Sequence, residues 1–66
     1  MLITVNGRTQ ETGPGQTLHG LIRSMGLDPS VVVAELNHDI VAGEKFAATN
    51  LNPGDRLELL SFVGGG

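Results

Sequence analysis

The sequence predicts an α+β fold in which a mixed sheet of four to five strands clasps one main helix. Three observations lead there. Leu18, Leu21, Ile22 and Met25 recur at i, i+3, i+4 and i+7, which puts one apolar stripe on a single short helix. On both sides of that stripe lie short segments of alternating or β-branched residues bounded by turn signals. The chain has 66 residues and no cysteine, close to the lower size at which a domain buries ~60% of its unfolded surface. With no disulfide to staple it, one sheet must cover that one helix.

Taken in order, Leu2-Ile3-Thr4-Val5-Asn6 alternates, with Ile3 and Val5 on one face, and reads as a half-buried strand. Asn6-Gly7 tolerates positive φ at both central turn positions and predicts a two-residue hairpin. The returning segment, Arg8 to Thr12, is almost wholly polar, which suits an edge strand, and Gly13-Pro14-Gly15 ends it. Thr17 is placed as the helix N-cap, with the helix running from Leu18 to Met25. Gly26 is placed to stop it in a left-handed conformation, with Leu27 folding back on the last turn.

Val31 to Asn37 is β-branched and long enough for a strand, in which Val32, Ala34 and Leu36 face the helix while Val31, Val33 and Glu35 face out. His38-Asp39 reads as a turn and Ile40-Val41 as a short return. Gly43 to Thr49 suits a helical turn that buries Phe46. In Asn50-Leu51-Asn52-Pro53-Gly54-Asp55, Pro53 and Gly54 fit the central positions of a type II turn. Arg56 to Val63 is the last strand, expected centrally and parallel to the first. Leu57, Leu59 and Val63 then point inward, with Glu58, Leu60 and Phe62 outward. Leu60 and Phe62, adjacent on one outward face and near Val31 or Val33, make either a docking patch or simple edge packing.

Composition narrows the function. The net charge is −3, and the basic residues Arg8, Arg23, Lys45 and Arg56 are scattered, so neither nucleic acid nor an anionic membrane is the expected partner. No apolar run approaches the length of a membrane span and no leader pattern opens the chain, so a cytoplasmic location is expected. Gly13-Pro14-Gly15-Gln16-Thr17 lacks the lysine and spacing of a phosphate loop. His19 and His38 have no ligand-spaced companions, so no metal site is expected. Glu11, Glu35, Asp39, Glu44 and Glu58 form no acid/base pair, and at most an acidic rim.

The remaining feature is the end, Ser61-Phe62-Val63-Gly64-Gly65-Gly66, where an apolar strand meets three glycines. Chain ends fray, and three glycines suit that. A segment without Cβ atoms also fits a channel too narrow for side chains, and three residues reach only ~10 Å. On that reading the body, residues 1–63, is a platform and residues 64–66 are a flexible tail.

Met1-Leu2-Ile3-Thr4-Val5-Asn6-Gly7, Gly15-Gln16-Thr17-Leu18, Leu36-Asn37-His38-Asp39-Ile40-Val41, the Pro53-Gly54-Asp55 turn and the terminal Gly65-Gly66 together resemble the ThiS/MoaD family of ubiquitin-like β-grasp sulfur carriers. The resemblance covers the whole chain and implies a non-enzymatic sulfur carrier. In that family an adenylating enzyme of the ubiquitin-activating (ThiF/MoeB-like) type uses ATP on the terminal carboxylate, and a sulfur donor protein converts it to a thiocarboxylate. Carried over, Gly66 bears the reacting carboxyl, Gly65 and Gly64 form the lead, and Leu60, Phe62 and Glu58 grip the partner. No cofactor is bound by the chain itself. Thiazole synthase of thiamin synthesis is the implied sulfur acceptor; molybdopterin, tungstopterin or sulfur amino acid synthesis, or protein modification, are the alternatives. The family pattern has a small or apolar residue before the diglycine, and this chain has a third glycine, Gly64.

Overall fold

The computed structural model describes residues 1–62; Val63, Gly64, Gly65 and Gly66, and with them the boundary between body and tail, lie outside the described residues. Strands β1 (Leu2–Val5), β2 (Arg8–Glu11), β3 (Val32–Leu36), β4 (Asp39–Val41) and β5 (Arg56–Ser61) form one sheet in the order β2-β1-β5-β3-β4. The helix α1 (Leu18–Ser24) packs on one face of it. β5 is central and parallel to β1, as the order of elements predicts, and it is antiparallel to β3.

Each element has a local cause. Asn6 and Gly7 take φ of 50° and 81°, the conformation a tight β1–β2 turn requires. Thr17 caps α1 by accepting the Gly20 N–H at 3.0 Å. Gly26 follows the helix at φ 77°, and Leu27 N–H donates back to Ile22 O at 3.2 Å, which satisfies a terminal carbonyl. Asn52 O accepts the Asp55 N–H at 3.1 Å around Pro53-Gly54, with Gly54 at φ 84°, the type II geometry read from the sequence.

The core is aliphatic, with one aromatic ring in it. Ile3 and Val5 of β1, Val32 and Ala34 of β3, and Leu57 and Leu59 of β5 face Leu18, Leu21 and Ile22 of α1. Phe46, 1% exposed, closes the core from a 3-10 turn (Gly43–Ala48), and Leu51 packs beside it.

Three expectations are corrected. Met25 belongs to the helical stripe by spacing but is 37% exposed; α1 ends at Ser24, before a fourth stripe position can reach the sheet. Val31 does not start a strand. It closes a 3-10 turn (Pro29–Val31), because the Asp28 carboxylate accepts both the Ser30 N–H at 2.9 Å and the Ser30 hydroxyl at 2.8 Å. The second hairpin turns at Asn37-His38 and not at His38-Asp39: Asn37 and His38 take φ of 50° and 74°, and Asp39 already belongs to β4. β5 is described from Arg56 to Ser61, with Phe62 after it; Val63, the expected end of that strand, lies outside the described residues.

Candidate functional site

β5 separates the core from the outer face of the sheet by strict alternation. Leu57 and Leu59 are buried, whereas Leu60 and Phe62 are 60% and 58% exposed. Cross-strand register gathers more of the same surface. Leu60 lies opposite Val33, Glu58 opposite Glu35, and Glu35 in turn opposite Ile40. Val33 and Ile40 are both exposed. Val31 lies beside Phe62, whose N–H donates to Val31 O at 2.7 Å. The outer face of β5, β3 and β4 therefore carries Val33, Ile40, Leu60 and Phe62 around a pair of glutamates. Leu60 and Phe62 are about 7 Å apart along the strand and the neighbouring strands about 5 Å away, so this is one surface.

The glutamate pair is an electrostatic oddity in that surface. Like charges directly opposite on neighbouring strands weaken a sheet by about a few tenths of a kcal/mol, and among the described residues the nearest nitrogen that can carry an opposing charge, when protonated, is the exposed His38 Nδ1, 3.9 Å from Glu35 Oε1. The wider acidic rim does not assemble. Glu11 stands on β2 at the far edge, Asp39 shares the opposite face with Leu36, and Glu44 sits on the turn that carries Phe46.

Three side chains with consequences for this site escaped the sequence reading. Asp55, 8% exposed, ties the Pro53-Gly54 turn to the second hairpin: it accepts from Asn52 N–H at 2.7 Å and Asn37 Nδ2 at 3.0 Å. Asn37 Oδ1 in turn accepts the Arg56 N–H at 3.0 Å, which sets where β5 begins. Asn6 does the same farther along. Its Oδ1 accepts the Leu59 N–H at 2.8 Å and its Nδ2 donates to Leu59 O at 3.3 Å. The signal was a polar residue at a turn, which sequence reasoning assigns to the turn alone.

The described residues hold no constellation for chemistry. Among them no three His, Cys, Asp or Glu side chains converge. His19 is exposed on α1. Gly13 to Thr17 is a turn and a helix cap, as expected. A shallow pocket of about 350 Å³ lies between Arg23, Gly26, Leu27 and Asp28, at the end of α1. The Ser30 backbone N–H, the Ser30 hydroxyl and, more weakly, the Arg23 charge hold the Asp28 carboxyl below its usual range, which commits it to the local turn. No helix among the described residues is long and apolar enough to cross a membrane. What the arrangement offers is an exposed apolar face on the central strand, which runs in sequence into Gly64, Gly65 and Gly66, the residues singled out from the sequence, which lie outside the described part.

Comparison with known proteins gives the same direction. The model of the ThiS family matches residues 3–66. A thiazole synthase of Paramagnetospirillum magneticum is 33% identical over 66 residues; the match takes in 100% of this chain and 20% of that protein, so the chain spans about a fifth of that relative's length. The sulfur carrier protein ThiS of Bacillus subtilis is 30% identical over 69 residues, covering 98% of this chain and 100% of that one. A crystal structure of a thiamine biosynthesis protein (ThiS) from Geobacter metallireducens superposes with a TM-score of 0.84 at 32% identity, covering 100% of both chains.

Proposed function

Because the chain belongs to the ThiS family and has its ubiquitin-like β-grasp fold, we propose that it carries sulfur as a thiocarboxylate on Gly66 for assembly of the thiazole of thiamin. It is the substrate of other enzymes and not itself a catalyst. A carboxylate is a poor acyl electrophile, since its charge opposes attack and oxide is no leaving group. Transfer of AMP from ATP to the Gly66 carboxylate, with loss of pyrophosphate, supplies the leaving group; the outer sulfur of a partner's persulfide displaces AMP to give an acyl disulfide, and a second thiol of the partner proteins reduces that bond, releasing the thiocarboxylate and leaving a disulfide on the partner side. ATP and the sulfur nucleophile belong to the partners, and a cytoplasmic site is compatible with that reliance on ATP. The acceptor on this reading is a thiazole synthase, the kind of protein that one relative is named for.

The observation that carries the reading is the place of β5. It is the central strand, its inward residues are core, and its outward residues Glu58, Leu60 and Phe62 lead in sequence to the glycines. Such a strand presents an end to a partner while the fold stays closed. Intact mass after incubation with an activating enzyme of this type, ATP and a sulfur source tests it. Replacement of one oxygen by sulfur on Gly66 is expected; an unchanged mass overturns the proposal, and conjugates of higher mass point to protein modification.

On this reading Leu60, Phe62, Glu58 and their neighbours Val33 and Ile40 meet the activating partner. Leu60→Asp and Phe62→Asp should each weaken binding at least tenfold, roughly 1.4 kcal/mol or more at an apolar contact. Their thermal midpoints should stay near that of the parent, because substitutions at exposed positions shift stability by about 0.5 kcal/mol or less. Calorimetric titration beside thermal unfolding reads both. A loss of midpoint as large as the loss of affinity would mean that these side chains serve the fold.

A further inference from the structure

β5 is longer than the strand that flanks it. On the β3 side its main chain is held along its whole length: Arg56 O accepts from Asn37 N–H at 2.8 Å, and Phe62 N–H donates to Val31 O at 2.7 Å. Those two bonds set the phase. In an antiparallel pair, hydrogen-bonded and non-hydrogen-bonded positions alternate, so Arg56, Glu58, Leu60 and Phe62 turn their main-chain groups toward β3. Asp55, Leu57, Leu59 and Ser61 turn theirs toward β1. On that side β1 supplies partners only as far as it lasts. Thr4 N–H donates to Asp55 O at 2.9 Å and Asn6 N–H to Leu57 O at 2.8 Å. The chain then turns away into β2, and the side-chain amide of Asn6 serves as one more rung by pairing with both the N–H and the C=O of Leu59.

Ser61 comes next in that series, and it is exposed. Among the described residues nothing pairs with its N–H or C=O, so the β1 side of β5 has a notch that begins where Asn6 ends and opens beside the apolar face of Leu60 and Phe62. An unpaired N–H and C=O on one strand residue, in line with a formed ladder, is a template for strand addition.

We propose that an extended segment of the activating enzyme fills this notch, running where β1 would continue and pairing with the N–H and C=O of Ser61, so that β5 is held on both sides as its end is presented. The proposal rests on the carrier reading and adds a main-chain contact to its side-chain surface. Pairing on both edges fixes direction as well as position, which an apolar face alone does not.

Ser61→Pro removes the N–H that faces the notch while leaving every bond to β3 in place. Proline is tolerated in a strand where the missing donor faces no partner, and the extended conformation of Leu60 suits the residue before it. Expected is at least a tenfold slower formation of thiocarboxylate, with the thermal midpoint close to that of the parent chain. Amide exchange in the unsubstituted chain gives a second readout. Free, the Ser61 amide should exchange at least tenfold faster than those of Leu60 and Phe62; with the activating enzyme bound, it should slow to match them. Thiocarboxylate formed equally fast on Ser61→Pro, or a Ser61 amide that stays fast in the complex, overturns the strand pairing alone. No thiocarboxylate on the unsubstituted chain overturns the carrier reading and this proposal with it.

Discussion

A chain that lacks Gly66, or that carries one residue after it, is expected to receive neither AMP nor sulfur while unfolding at the same temperature as the parent. Both changes move the acyl carbon by one residue, about 3.5 Å along an extended chain. Attack at the α-phosphate needs the carboxylate oxygen within roughly 3–3.5 Å and in line, and a misplacement of about 1 Å already costs on the order of 100-fold. The shift should therefore be all but complete in its effect. Slack in the glycines cannot restore the geometry if Leu60, Phe62 and Ser61 anchor β5 against the same partner, because three residues reach only about 10 Å. Stability is another matter. Among the described residues every buried apolar side chain lies between Ile3 and Leu59, and Gly66 has no side chain to pack, so neither change removes a core contact. Intact mass and thermal unfolding on the same samples decide the case; adenylation that persists on either variant would remove the terminal carboxyl from the mechanism.

Much of this site was legible because a strand has a period of two. Once Leu57 and Leu59 are assigned to the core, Leu60 and Phe62 must face out, and no knowledge of neighbours is needed. Their companions were harder to read. Ile40 lies opposite Glu35 because the hairpin turns at Asn37-His38. Reading the turn one residue later keeps Ile40 on this face but sets it opposite Asn37, two residues farther from Leu60. The cause of the slip is long-range: Asn37 holds its positive φ while its amide reaches Asp55 and the Arg56 N–H, 18 and 19 residues away. Local turn propensity favours Asp39 just as well. The notch at Ser61 was not legible at all, since it depends on where β1 stops relative to β5 and on Asn6 acting as a rung. Gly64 to Gly66 were singled out from sequence only, by composition and by resemblance. The helix, by contrast, was read nearly to the residue, because Thr17 and Gly26 mark its ends locally.

Phe46→Ala should lower the unfolding midpoint by more than about 12 °C. Truncating a fully buried phenylalanine costs about 3–5 kcal/mol, and in a domain of this size each kcal/mol moves the midpoint by about 4–8 °C. A domain of 66 residues has only roughly 3–10 kcal/mol of net stability to lose. Phe46 is the one aromatic ring in the core and sits on a 3-10 turn that no strand pairing secures, so the cavity cannot be filled by a neighbour of similar volume. The variant separates two routes to a silent carrier. It should form thiocarboxylate poorly at a temperature where it is largely unfolded and regain most of the parent rate on cooling, because Leu60, Phe62, Ser61 and Gly66 are all still present. The chain without Gly66 should be silent at both temperatures. If Phe46→Ala stays inactive when thermal unfolding shows it folded, Phe46 has a part in presentation that its 1% exposure does not suggest.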